Sequence, residues 1–248
     1  MAEHPPDGTS TDGTGSIDTD GTYPAATPSG LAGVPLYGLD IETDTAVDGL
    51  DPSRSAVVAV AFWGGPVGTP DERAGGHVEE VVEAPGTEPD DERALLTRVD
   101  RLLADLPPGV IVTWNGRRFD LPFIDERARR LGVATGLRID PVSGEAQWHR
   151  HRHLDGLRAY RADVGRTLGL SCALKPLSRF VGLDPVEVDR TRIHELDDAT
   201  LRAYVLSDAR LAHELVARRW PAVAGWVDRT VSTGSPGPAT APLAAPTT

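Results

Sequence analysis

Leu36-Tyr37-Gly38-Leu39-Asp40-Ile41-Glu42-Thr43 is the stretch on which the reading of this chain turns. In an extended strand successive side chains leave on opposite faces, so Leu39 and Ile41 share one face and Asp40 and Glu42 the other. Two carboxylates held side by side repel each other and are costly unless a cation neutralises them. Oxygen-only ligation of that kind suits Mg²⁺ or Mn²⁺. The same spacing of acids recurs at Asp18/Asp20 and Asp90/Glu92. Taken alone, then, the pair reads better as a solvated strand end.

Working outward, residues 56–63 (AVVAVAFW) form a nearly continuous apolar strand, and residues 77–83 a third strand. Residues 90–106 space Leu95, Leu96, Val99, Leu102, Leu103 and Leu106 at helical intervals, and Pro107-Pro108-Gly109 stops the helix. Residues 110–114 read as another buried strand, 121–131 as a helix and 152–155 as a short strand. Helices are expected near 157–168 and 172–181, then a long one over 198–220. This order predicts an α/β fold with a mixed central sheet, three antiparallel strands followed by parallel strands, flanked by helices.

The chain has 248 residues and a formal net charge of −12, with 40% hydrophobic and 25% charged residues. One medium-sized domain fits that length. Residues 1–34 and 230–248 are poor in core-forming residues and rich in Gly, Thr, Pro, Ser or Ala, so both are expected to be disordered tails around a folded domain at 35–229. No apolar run approaches the roughly 20 residues needed to span a bilayer, and no secretory signal is visible. The single cysteine, Cys172, excludes an internal disulfide and a cysteine-rich zinc module. A cytoplasmic protein with no membrane partner is the expectation. Charge is unevenly spread: residues 35–110 balance at −11, whereas residues 111–220 balance at +4. A local basic face could therefore still follow a phosphate backbone.

Two further constellations carry chemistry. Asn115-Gly116-Arg117-Arg118-Phe119-Asp120 joins a buried strand to a helix, at the carboxyl end of the strand, where ligands bind in open sheets. Asn115 is the only asparagine in the chain; Asn115-Gly116 also suits a plain tight turn, and Asp120 a helix N-cap. In Tyr204-Val205-Leu206-Ser207-Asp208, the spacing of four sets Tyr204 and Asp208 on one helix face.

Together the order Asp-x-Glu, Asn-x-x-x-Phe-Asp and Tyr-x-x-x-Asp resembles the proofreading 3′→5′ exonuclease domain of B-family DNA polymerases, in the tyrosine-bearing branch of the DEDD superfamily. The likeness extends over Trp114-Asn115-Gly116, Phe119-Asp120-Leu121-Pro122-Phe123 and His153-Leu154-Asp155, and spans roughly residues 35–220. It implies a ribonuclease-H-like fold and a free-standing exonuclease using two Mg²⁺ or Mn²⁺ ions. Asp40 would bridge both ions, Glu42 and Asp208 would bind the first, and Asp120 the second. Tyr204 would orient the attacking water without ionising, and Thr43, Asn115 and Phe119 would bind the terminal nucleotide. The implied partner is single-stranded or 3′-terminal nucleic acid, DNA favoured and RNA possible. An exoribonuclease of the same fold and a non-cleaving binder of nucleic-acid ends are the alternatives.

His149, His151 and His153 would share one face of a strand, a possible zinc site or a polar stretch near the phosphate path. Lys175 is the only lysine. It would either contact a substrate phosphate or lie on the surface. Cys172 reads as a small buried hydrophobe, and Trp220 and Trp226 as anchors for the chain end.

Overall fold

The computed structural model describes residues 33–66, 77–86 and 88–229. Apart from Gly33 and Val34, the two expected tails lie outside these residues, as do Asp18 and Asp20. Strands β1 (Leu36–Thr43), β2 (Val57–Gly65) and β3 (Val78–Glu83) precede helix α1 (Pro89–Asp105). Then come β4 (Val110–Thr113), α2 (Asp120–Leu131), β5 (Leu137–Ile139), β6 (Ala146–Trp148) and β7 (His151–Asp155). The helices α3 (Gly156–Tyr160), α4 (Arg166–Leu168), α5 (Leu174–Phe180), α6 (Asp198–Arg218) and α7 (Trp220–Val223) complete the fold.

All seven strands form one sheet in the order β3-β2-β1-β4-β7-β6-β5. β1 pairs antiparallel with β2, and β2 with β3; β1, β4 and β7 run parallel. The carboxyl ends of these three parallel strands therefore open on the same edge, which is where Glu42, Asn115 and Asp155 emerge. The expected mixed α/β sheet is present. It differs at one end, where β6 and β5 return antiparallel as a hairpin. Two three-residue strands show no readable periodicity. The hairpin is closed instead by Asp140, whose side chain accepts the N–H groups of Val142 and Ser143.

Alternation along β1 sorts the two faces. Leu39 and Ile41 pack with Leu95, Leu96 and Val99 of α1 and Leu121 and Ile124 of α2. On the opposite face Ala59, Ala61 and Val81 meet Val205 and Ala209 of α6. Small residues bring α6 close: a Cβ at Gly38 would sit 2.0 Å from the Ala209 carbonyl oxygen. Asp40 and Glu42, in phase with Gly38, therefore look toward α6.

The acids at 90 and 92 are structural. Glu92 is wholly buried, accepts the Val57 N–H at 2.9 Å and pairs with Arg127, so it ties α1 to β2 and α2. Asp90 pairs with Arg93 at the surface. The expected helix over 157–168 is interrupted: a π-helical turn at Arg161–Gly165 separates α3 from α4. No helix among the described residues is long and apolar enough to cross a membrane.

Candidate active site

One cavity of about 610 Å³ lies at the carboxyl edge of β1 and β4. Asp40, Glu42 and Thr43 reach it from β1, and Asn115, Phe119 and Asp120 from the turn between β4 and α2. Asp208 enters from α6. Of the eight residues for which the resemblance implies a metal, catalytic or nucleotide-binding role, Tyr204 alone does not line it: its side chain is wholly buried, one helical turn behind Asp208.

The β4–α2 turn is held by a buried relay. Asp228 accepts from His153 Nδ1 at 2.9 Å, and His153 Nε2 lies 2.9 Å from Thr113 Oγ1, which accepts the Gly116 N–H. Asp155 accepts the N–H groups of Asn115 and Arg117. Asn115 thereby adopts φ 81°, a left-handed conformation that Asn tolerates better than most residues. Phe119 occupies the N-cap position of α2, so Asp120 is its first residue and not its cap.

These contacts also account for the histidines. His151 bonds the Leu103 carbonyl and His153 joins the relay. His149 turns at φ 49° beside Asp100. The three imidazoles do not converge. Among the described residues, no three His, Cys, Asp or Glu side chains form a ready-made ion site.

What the cavity gathers is unbalanced negative charge. Burial, then Asp208, Asp120 and Glu42, push the Asp40 carboxyl well above its usual range. Burial followed by repulsion from Asp208 lifts Glu42 to about 8. Asp120 rises to about 7, mainly through burial, with Asp155 adding to it. Asp208 is also raised by burial, although Lys175 opposes the shift. Such a cluster keeps protons at neutral pH unless cations replace them, and four carboxylates without sulfur or imidazole match hard divalent cations.

Two basic residues answer the acids. Lys175, on α5, places Nζ 3.1 Å from Asp208 Oδ1 and 3.9 Å from the centre of the Tyr204 ring, and donates to the Val186 carbonyl. Its side chain is partly buried, 15% exposed, and partners the cluster. Burial and the nearby Asp208 and Glu42 drive the Tyr204 hydroxyl far above its ordinary pKa, so it stays protonated. Arg190 opens a 3₁₀ segment (Arg190–Glu195), lines the cavity and acts electrostatically on Glu42, Asp40 and Asp208. Sequence reading missed it because residues 183–197 show no periodicity. Thr43 lines the cavity, but its hydroxyl is donated to the Gly49 carbonyl at 2.6 Å.

Known proteins resemble this chain in sequence and in fold. The family model described as DNA polymerase family B, exonuclease domain, matches residues 38–146. A catalytic chain of DNA polymerase epsilon from Arabidopsis thaliana is 35% identical over 126 residues, covering 48% of this chain and 6% of that protein. DNA polymerase 1 of Aeropyrum pernix is 34% identical over 134 residues, 51% of this chain and 14% of that protein. The chain thus spans a small fraction of these relatives. The family B DNA polymerase structure from Pyrobaculum calidifontis superposes with a TM-score of 0.61 at 23% identity, over 76% of this chain and 25% of that one, a likeness of fold. Tyr204 and Asp208 lie beyond the stretch matched by the family model. Over residues 38–146 the chain is thus similar in sequence to the exonuclease domain of family B DNA polymerases, and over 76% of its length it is similar in fold to a polymerase of that family.

Proposed function

We propose that the chain is a metal-dependent 3′→5′ exonuclease that hydrolyses phosphodiester bonds at the 3′ end of single-stranded or frayed DNA and releases nucleoside 5′-monophosphates. The observation that carries this reading is the cavity at the carboxyl edge of β1 and β4. In it burial raises the carboxyls of Asp40, Glu42, Asp120 and Asp208, with repulsion from neighbouring acids adding to it at Asp40 and Glu42, a donor set suited to divalent cations. Two Mg²⁺ or Mn²⁺ ions would there supply Lewis-acid stabilisation of the attacking and leaving oxygens. Asp40 would hold both ions, Glu42 and Asp208 the first, and Asp120 the second.

The remaining roles belong to the chain's own groups. Asn115, fixed in its turn by Asp155, hydrogen-bonds the terminal nucleotide, and Phe119 packs against it. Arg190 offsets phosphate charge at the cavity rim. Tyr204 keeps its proton and would orient the attacking water from one helical turn behind Asp208. Thr43 shapes the wall, its hydroxyl being engaged. A pure binder of DNA ends gains nothing from four carboxylates facing phosphate.

The test is digestion of 5′-labelled DNA and RNA strands of one sequence with Mg²⁺, Mn²⁺ or EDTA, beside Asp40→Ala and Asp208→Ala. A ladder shortening from the 3′ end, dependent on metal and lost in both variants, is expected, and the same gel gives the preferred sugar. Cleavage that survives in both variants contradicts the assignment, as does none by pure protein in either metal.

A further inference from the structure

A second cleft of about 560 Å³ adjoins the catalytic cavity and shares Asn115 with it. Its walls carry Arg117, Arg118, Arg158, Arg161 and Arg166, with Trp226 at its edge. One acid lines it, Asp155, whose carboxylate is turned onto the backbone N–H groups of Asn115, Arg117 and Arg158 at 3.1–3.2 Å. Arg117 is anchored to Asp228 at 2.8 Å, and Arg158 lies over the Trp226 ring at 5.2 Å. Arg118, Arg161 and Arg166 are exposed and have no carboxylate at ion-pair distance among the described residues.

In a chain of net charge −12, five guanidinium groups gather at one cleft; Asp228 pairs with Arg117 at 2.8 Å and lies 3.9 Å from Arg158, so Arg118, Arg161 and Arg166 form a local reversal of field. Like charges so placed repel one another unless an anion joins them. Guanidinium forks match phosphate oxygens, and a partly exposed indole gives a base a face on which to stack. We infer that this arginine cleft takes the phosphate backbone of the single strand whose 3′ end enters the catalytic cavity, with Trp226 stacking on one of its bases. The inference rests on the nuclease reading for what lies at the strand's end. Asn115, common to both spaces, marks where the strand passes from one to the other.

Binding of a 5′-labelled 12-mer DNA strand, followed by fluorescence anisotropy in EDTA, tests the cleft without cleavage. The combined Arg118→Ala, Arg161→Ala and Arg166→Ala variant is expected to bind about tenfold or more weakly. Its slope of log Kd against log salt should fall by about 2. The corresponding triple lysine variant retains most of the affinity, which separates charge from a folding defect. Trp226→Ala weakens binding about fivefold, and Trp226→Phe less. Unchanged affinity and salt slope in the triple alanine variant would overturn the inference. So would a mononucleotide that displaces the 12-mer as effectively as an unlabelled 12-mer, since the cleft would then hold a free nucleotide. Wild-type protein that binds through these arginines yet never cuts sinks the nuclease reading and leaves the cleft standing. Protein that cuts while the triple variant binds normally does the reverse.

Discussion

Lys175 Nζ stands 3.1 Å from Asp208 Oδ1, so the only lysine in the chain partners an acid of the carboxylate cluster. That ammonium opposes the rise in the Asp208 pKa. Its removal leaves Asp208 among three other acids with Arg190 as the remaining nearby cation, and Asp208 then keeps its proton to higher pH. Lys175→Ala is expected to move the acidic limb of the kcat/KM profile in Mg²⁺ upward by about one pH unit, and Lys175→Arg to restore most of it. An acidic limb that stays in place, with KM alone raised and its salt dependence reduced, would instead make Lys175 a phosphate contact.

The cluster also sets how the metal-free protein responds to pH. Unfolded carboxyls titrate near about 4, whereas in the fold Glu42 is raised to about 8 and Asp120 to about 7, by burial first. The folded state thus binds more protons than the unfolded one, and this stability, complete below the unfolded pKa, is lost as pH rises through the folded values. Buried His213, pushed down to about 4, acts in the opposite sense and only below its ordinary value of 6.5. Between about pH 6.5 and 8.5, in EDTA, Tm is therefore expected to fall, and Asp120→Asn to flatten the fall. Saturating Mg²⁺ should remove it. A Tm in EDTA that is flat or rising across this window contradicts the prediction.

Asn115 separates backbone from side chain. At φ 81° an alanine meets left-handed strain of about 1 kcal/mol that glycine does not. Asn115→Ala should unfold at lower denaturant than Asn115→Gly, while both lose comparable activity because both lack the amide. Equal stability with unequal activity would contradict this division.

Gly38 sets the approach of α6 to β1. Because an added Cβ would fall 2.0 Å from the Ala209 carbonyl oxygen, Gly38→Ala must push the helix outward. A loss of about 1–3 kcal/mol is expected, together with a drop in activity, since Asp208 rides on the same helix. Denaturant melts and kcat/KM measure the two effects. Full activity at lowered stability would show that the helix yields without moving Asp208.

Much of the site is local enough to be read from the sequence. Strand alternation sets Asp40 and Glu42 on one face, and the helical repeat sets Tyr204 one turn from Asp208. What escapes is non-local. Arg190 reaches the cavity on an aperiodic 3₁₀ segment held to the β1–β2 loop, where Thr45 Oγ1 lies 2.8 Å from His194 Nδ1. His153 looks like a metal ligand in HRHRH until Asp228, 75 residues later, supplies its partner. The β5–β6 hairpin is fixed by the Asp140 turn and not by any hydrophobic pattern. Lys175 gives no sequence sign of its acid, because α5 and α6 come together only in the fold.

The activity proposed for the four-carboxylate cavity is hydrolysis of the last phosphodiester bond at a 3′ end. The most direct measurement follows one DNA strand bearing different labels on its 3′-terminal and 5′-terminal nucleotides, in Mg²⁺, with wild-type protein and Asp120→Asn. The 3′ label is expected to leave first, as a mononucleotide, while the 5′ label stays on progressively shorter strands, and Asp120→Asn is expected to slow this shortening by orders of magnitude. Release of the 5′ label first, or internal cuts that leave both labels on oligonucleotides, would contradict it.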